Sequence, residues 1–214
     1  TEDHILISTR LGKSIRFPVE DVRQFKGRTS DGVRAIKLAQ KHDSVISMSI
    51  LTGIDASSEI KDLYLKVPLE KRIAVKNHDL KSEEITKISN KFELEENIFK
   101  NMCENEQFIL TVTENGFGKR TSAYEYRTIG RGGIGVLNIL TTSRNGNVVA
   151  SFPINESDHI MLITNKGKLI RIAASGIRII GRSTQGVTLF KTEKDEQVVS
   201  AAKIEEDDSD VVDI

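Results

Sequence analysis

The chain of 214 residues has no tryptophan, a single cysteine, three prolines and few aromatic residues, eight Phe and three Tyr. Cys103 has no partner for an internal disulfide, so nothing calls for an oxidising compartment. No apolar run approaches the roughly 18 residues of a membrane span. The opening Thr1-Glu2-Asp3-His4-Ile5 has neither the basic start nor the apolar core of a signal peptide. A cytoplasmic setting without a membrane partner is expected, and the lack of a start methionine points to a piece of something longer. The scarcity of aromatics argues against a stacking platform for single strands. His4, His42, His78, His159 and Cys103 are scattered without metal-ligand spacing. No Ser/His/Asp or paired-carboxylate arrangement recurs, and Tyr64, Tyr124 and Tyr126 read as packing or surface residues rather than nucleophiles. No catalytic residue, cofactor or metal site is expected here.

The formal net charge is zero, with 31 basic and 31 acidic residues, but it is strongly partitioned. Residues 1–51 carry +3, residues 52–105 carry −2, residues 106–204 carry +5 and residues 205–214 carry −6. Such asymmetry points to a polyanionic partner and an acidic, disordered tail.

Three segments repeat one another. Each opens with a short apolar and β-branched run, then a glycine turn ending in Gly-Lys: Ile5–Lys13, Ile109–Lys119 and Met161–Lys168. A second signature follows, Gly-Arg-x-x-x-Gly-Val, at Gly27–Val33, Gly130–Val136 and Gly181–Val187. An apolar strand is expected after each (Ile36–Leu38, Leu137–Leu140, Thr188–Phe190), and a fourth at Ser44–Leu51, Asn147–Ile154 and Gln197–Ile204. Four short strands per unit of about 50 residues, with glycine turns at fixed offsets, predict an all-β, propeller-like array of stacked blades. The blades fall at 1–51, 106–154 and 155–204, with the tail at 205–214.

Residues 52–105 break the pattern. Their apolar spacing is helical (Ile60, Leu63, Val67; Ile85, Ile88, Phe92; Leu94, Ile98, Met102). Ser58 and Ser82 are candidate caps, Glu83–Lys87 and Glu96–Lys100 are i,i+4 pairs, and Pro68 and Asn77-His78-Asp79 interrupt the run. Short inserted helices and a partly disordered spacer are both compatible with this composition.

Gly130-Arg131-Gly132-Gly133-Ile134-Gly135 matches the dinucleotide pattern G-x-G-x-x-G. That pattern needs a helix after its last glycine. Here Val136–Leu140 reads as a strand, and the other units carry Thr29 and Ser183 at the middle glycine. The glycines therefore belong to the repeat's turn.

Basic residues recur at matching places: Lys13 and Arg16; Lys119 and Arg120; Lys166, Lys168 and Arg171. The second signature adds Arg28, Arg131 and Arg182; Arg127 and Arg178 precede it, as do Arg23 and Lys26 in the first unit. Repetition should align these charges as a stripe suited to phosphates. Without a recognition helix or zinc module, binding through the backbone of duplex DNA, with bending, is expected rather than base readout.

Thr113–Thr121, Asp158–Gly167, Gly181–Val187 and Asp195–Val199 resemble the C-terminal domain of the bacterial DNA gyrase A protein, over about 150 of the 214 residues. The resemblance implies a β-pinwheel whose blades exchange strands and whose basic perimeter wraps duplex DNA, letting a type II topoisomerase introduce negative supercoils. It further implies a non-catalytic fragment, the last three blades plus tail, of an ATP- and Mg-dependent parent. The remainder of the gyrase A protein and the gyrase B protein would be partners in an A2B2 enzyme associated with the nucleoid. The rival readings are the corresponding domain of topoisomerase IV and a protein-docking propeller. The family's Q-R-R-G-G-K-G box is absent; the nearest string, Gly130–Gly135, has Ile134 where the box has lysine.

Overall fold

Glycine turns flanked by β-branched runs fold here as antiparallel hairpins. The computed structural model describes residues 3–54 and 56–204; the expected acidic tail lies outside them. In chain order the strands are β1 (His4–Thr9), β2 (Lys13–Pro18), β3 (Val45–Leu51), β4 (Phe108–Thr113), β5 (Phe117–Ser122) and β6 (Val136–Leu137). They continue as β7 (Val148–Ile154), β8 (His159–Thr164), β9 (Leu169–Ala173), β10 (Val187–Thr188) and β11 (Val198–Ile204). Between β3 and β4 run α1 (Ser58–Lys66), α2 (Leu69–Lys76), α3 (Ser82–Lys91) and α4 (Glu96–Glu104).

The strands form three sheets, ordered β3-β1-β2-β6, β10-β5-β4-β7 and β11-β8-β9. Two of the three sheets have four strands among the described residues, and they are completed by the exchange between neighbours that the β-pinwheel resemblance implies. The strand after the second Gly-Arg signature, β6, leaves its own unit and pairs with β2 of the first. Likewise β10 of the third unit pairs with β5 of the second. Residues 36–38 form no strand, and the third sheet has three strands among the described residues. A strand needs only a complementary edge, and the neighbouring unit supplies one.

Side chains alternate across each strand, so both faces of a sheet pack on something. In the first sheet Ile5, Ile7, Ile15 and Phe17 face one way, under Ala35, Ile36 and Ile129. Leu6 faces the other, with Leu51, Ile109, Ala123 and Tyr126. A further cluster joins Leu110, Val112 and Ile154 of the second sheet to Ile160, Leu162 and Val198 of the third.

Residues 58–104 are ordered as helices around Tyr64, Val75, Ile85, Ile88, Phe99, Met102 and Cys103. The caps lie one residue before the expected serines. Ser57 Oγ accepts from the Ile60 N–H at 3.3 Å, and the Glu84 carboxylate accepts from the Lys81 N–H at 3.1 Å. Helix α1 stops before Pro68 because the residue ahead of a proline is extended, as Val67 is (ψ 128°). The bundle docks on the second blade through Tyr124, whose ring meets Tyr64 edge-on at 5.3 Å and whose hydroxyl donates to the Met102 carbonyl at 3.1 Å. Beneath it, buried Glu106 is ion-paired with Arg72 and accepts from the Tyr64 hydroxyl at 2.9 Å.

Candidate nucleic-acid interface

The basic residues divide between the seams where sheets exchange strands and the loops outside them. The seam residues begin with a change of register. The left-handed turn glycines are Gly12, Gly116 and Gly167, at φ 81°, 74° and 78°. Gly116, not Gly118, is thus the equivalent of Gly12. Phe117 takes the place of Lys13 and Lys168, and Lys119 the place of Ile15 and Ile170.

Lys119 is accordingly fully buried, against the expectation that it lies on a rim. Its Nζ donates to the carbonyls of Gly181 (2.8 Å) and Arg182 (2.7 Å) and to Thr184 Oγ1 (3.2 Å). Burial pulls its ammonium down to about 7, opposed by nearby Glu125 and reinforced by Arg182. Arg16 and Arg120 are also buried, not on the rim. Arg16 donates through Nε to His4 Nδ1 (2.9 Å) and through an Nη to the Ala123 carbonyl (2.8 Å). Arg120 donates to the Ile177 carbonyl (2.8 Å) and is ion-paired with Glu156. The reason is common to all three. Each side chain points into the next unit, whose turn carbonyls need donors. In the third unit the matching Arg171 is exposed and donates to His159 Nδ1 at 2.7 Å.

The signature arginines do similar work. Arg131 donates to the carbonyls of Asp21 (3.1 Å) and Arg34 (2.8 Å), and Arg182 to that of Leu137 (2.8 Å). Arg34 and Leu137 hold the same place in successive units, so each arginine clamps the preceding unit's exchanged segment. Arg182 also lies 3.8 Å from Glu125.

The outer loops carry the remaining charge. Arg28, Arg127 and Arg178 are exposed, and among the described residues their side chains make no hydrogen bond or ion pair. Lys13 is half-buried on β2. Lys166 donates to the Lys194 carbonyl (2.7 Å), while Lys168 pairs with Glu193 (2.7 Å) and Glu196 (3.3 Å), a contact that raises its pKa. Arg34, Lys37, Lys41, Arg144 and Lys191 are exposed cations outside the expected set. Lys37 and Lys191 hold the same place in the first and third units, a recurrence visible once the Gly-Arg signatures are aligned. Arg144 lies over the Phe117 ring at 4.9 Å.

Tyr64, Tyr124 and Tyr126 are buried, and burial above all pushes their phenols up from the usual value. Burial likewise raises the Cys103 thiol to about 12. No group of three or more His, Cys, Asp or Glu is placed to hold a metal among the described residues. Gly135 leads into strand β6, so the loop lacks the helix N-terminus that a pyrophosphate would need.

This geometry defines a propeller-like array of β-sheets that exchange strands, with exposed cations on its loops. The family model described as the DNA gyrase C-terminal domain, beta-propeller, matches residues 3–52, 107–155 and 158–205, and the chain belongs to that family. The helical insertion falls between the first two matched stretches. The DNA gyrase A protein of Rickettsia typhi is 50% identical over 205 residues, 96% of this chain and 22% of that protein. That of Haemophilus influenzae is 35% identical over 210 residues, 97% of this chain and 21% of that protein. The chain thus spans about a fifth of the length of the curated relatives it matches. Among solved structures, the C-terminal domain of a DNA topoisomerase IV shares the fold at TM-score 0.66 and 18% identity, covering 95% of this chain and 47% of the other. The E. coli ParC C-terminal domain does so at 0.55 and 11%, covering 95% and 62%.

Proposed function

We propose that the chain binds and bends duplex DNA along its outer loops, as the DNA-wrapping part of a gyrase A protein. The observation that carries this reading is an exposed arginine, with no side-chain partner among the described residues, at one matching place in two successive units, Arg127 in the second and Arg178 in the third, with exposed Arg28 in the first. Lys13, Lys166 and Lys168 extend the same margin, with Arg34, Lys37, Arg144 and Lys191. Exposed cations of this kind neutralise phosphates without reading bases. A curved, rigid margin favours sequences that bend at low cost. The parent enzyme would use ATP and Mg through other parts, pair with the gyrase B protein, and introduce negative supercoils on the nucleoid. The 50% identity to gyrase relatives favours this over topoisomerase IV, to which the likeness is one of fold.

The test is the salt dependence of duplex binding. Each phosphate contact contributes roughly −0.9 to the slope of log K against log salt. Changing Arg28, Arg127 and Arg178 together to Ala should flatten the slope by about 2–3 units and weaken every duplex alike. An unchanged slope would remove these loops from the DNA path.

A further inference from the structure

We infer that the outer pocket of the second seam binds a phosphate group between Arg144 of the second unit and Lys191 of the third, and that the bound phosphate fastens the exchanged strand β10 to its host sheet. This deepens the DNA-binding reading and rests on it for the source of the phosphate.

The pocket has a volume of about 370 Å³, and its lining includes Asn115, Phe117, Arg144, Phe190, Lys191 and Thr192. Two of the lining residues are cations and none is an acid. Both cations are exposed, and among the described residues neither side chain makes a hydrogen bond or ion pair. The acids that flank the pocket in sequence, Glu114 and Glu193, are engaged elsewhere, with Arg10 and Lys168.

The rings set the geometry. Arg144 lies over the Phe117 ring at 4.9 Å, which restrains a long side chain without using any of its donors. Ring carbon keeps water from one side of the guanidinium, and a charge acts more strongly where water is excluded. Asn115 donates to the carbonyls of Ser143 (3.2 Å) and Arg144 (3.1 Å), which holds the loop that carries the arginine.

Lys191 comes from the other side of the seam, three residues after the two-residue strand β10. The Leu189 and Phe190 N–H groups both donate to the Gly116 carbonyl, at 2.8 and 3.3 Å. A Cβ on Gly116 would meet the Phe190 carbonyl at 2.5 Å, so the third unit's chain lies directly on the second unit's turn. A strand this short has few bonds to hold it, and its end is a site of easy local opening. Like charges on the two sides of the seam repel until an anion lies between them. An anion shared by Arg144 and Lys191 therefore joins the two units where the strand is weakest.

The first seam is built otherwise. Its matching residues are Lys13 and Lys41 from the first unit and Ile139 and Leu140 from the second. It has no ring at these places, and both cations come from one side. A phosphate held there ties nothing across.

The test is hydrogen exchange in the full 214-residue chain at fixed ionic strength, with inorganic phosphate and, separately, with a short duplex. Occupancy of the pocket should slow exchange of the Leu189 amide by about tenfold at ten times the dissociation constant. The Asn138 amide, which donates to Gly12 at the first seam (2.8 Å), should not change with inorganic phosphate. Arg144→Gln and Lys191→Gln should each abolish the slowing and leave the melt in place, because both side chains are exposed. Slowing by the duplex places the phosphate in the DNA backbone; slowing by inorganic phosphate alone keeps the site and takes it off the DNA path. No slowing of Leu189 by either ligand would overturn the inference. So would slowing that survives both substitutions, or equal slowing of the two amides by inorganic phosphate. A duplex that fails to bind at all would sink the DNA-binding reading, while the inorganic phosphate arm still decides the site.

Discussion

Lys119 and Arg28 are both basic residues of repeated signatures, yet one lies in a seam and the other on a loop. Lys119 is fully buried and spends its donors on Gly181, Arg182 and Thr184. Arg28 is exposed and spends none within the described residues. A repeated cation has two separate uses in this fold. In a seam it satisfies carbonyls that strand exchange takes out of water; on a loop it is left for an outside anion. Arg131 and Arg182 stand between, partly exposed but clamping the neighbour's backbone.

The largest loss of stability among these cations is expected at Arg120. Truncation to Ala would leave the Ile177 carbonyl without its buried donor and remove the Glu156 ion pair. A loss of about 3 kcal/mol is expected, because an unmade buried bond to a charged group costs more than the bond contributes. Thermal melts should fall by roughly 6–12 °C in a chain of this size, while the salt slope of DNA binding stays unchanged. A slope that dropped with no change in melt would move Arg120 to the loop class.

A smaller effect is expected at Lys119, and it carries a pH signature. Lys119→Ile installs the residue type of the other two units and strands two carbonyls, at a cost of about 1–3 kcal/mol. In the folded chain the ammonium loses its proton near 7, against an ordinary value of 10.5. Between those values the unfolded state binds more protons, so stability rises with pH across the window. Melts of the unaltered chain should therefore climb, relative to Lys119→Ile, from about pH 7 to about pH 10. A constant difference would mean that the lysine stays charged in its seam.

The smallest effect on folding belongs to Arg28. Arg28→Ala should move stability by no more than about 0.5 kcal/mol, as exposed sites do, while lowering the salt slope by roughly 0.9. A destabilised variant with an unaltered slope would place Arg28 among the clamps.

Much of this was legible in the residues. Turn glycines at φ above 70° and β-branched runs on either side announce hairpins wherever they occur, and the repeats stood at fixed offsets. The loop arginines were also visible, Arg28 beside Gly27, and Arg127 and Arg178 at matching places four residues ahead of Arg131 and Arg182. The burial of Arg16, Lys119 and Arg120 was not. Gly118-Lys119 mimics the Gly-Lys ending of the other turns, but the true turn glycine sits two residues earlier, at Gly116. The alternation then sends Lys119 inward. Nothing local distinguishes an inward lysine with three acceptors from an outward one.

By itself, then, the amino-acid order determined the unit: its hairpins, its two glycine signatures, its helical interruption and the excess of positive charge on its loops. These depend on backbone conformation and side-chain period, which act over a few residues. Which sheet each exchanged strand completes, and therefore which cations are buried, depends on how the units sit against one another. Hydrogen bonding between strands depends on edge geometry and not on chain connection. A Gly-Val strand fits its own unit's edge and its neighbour's alike until the units are placed side by side.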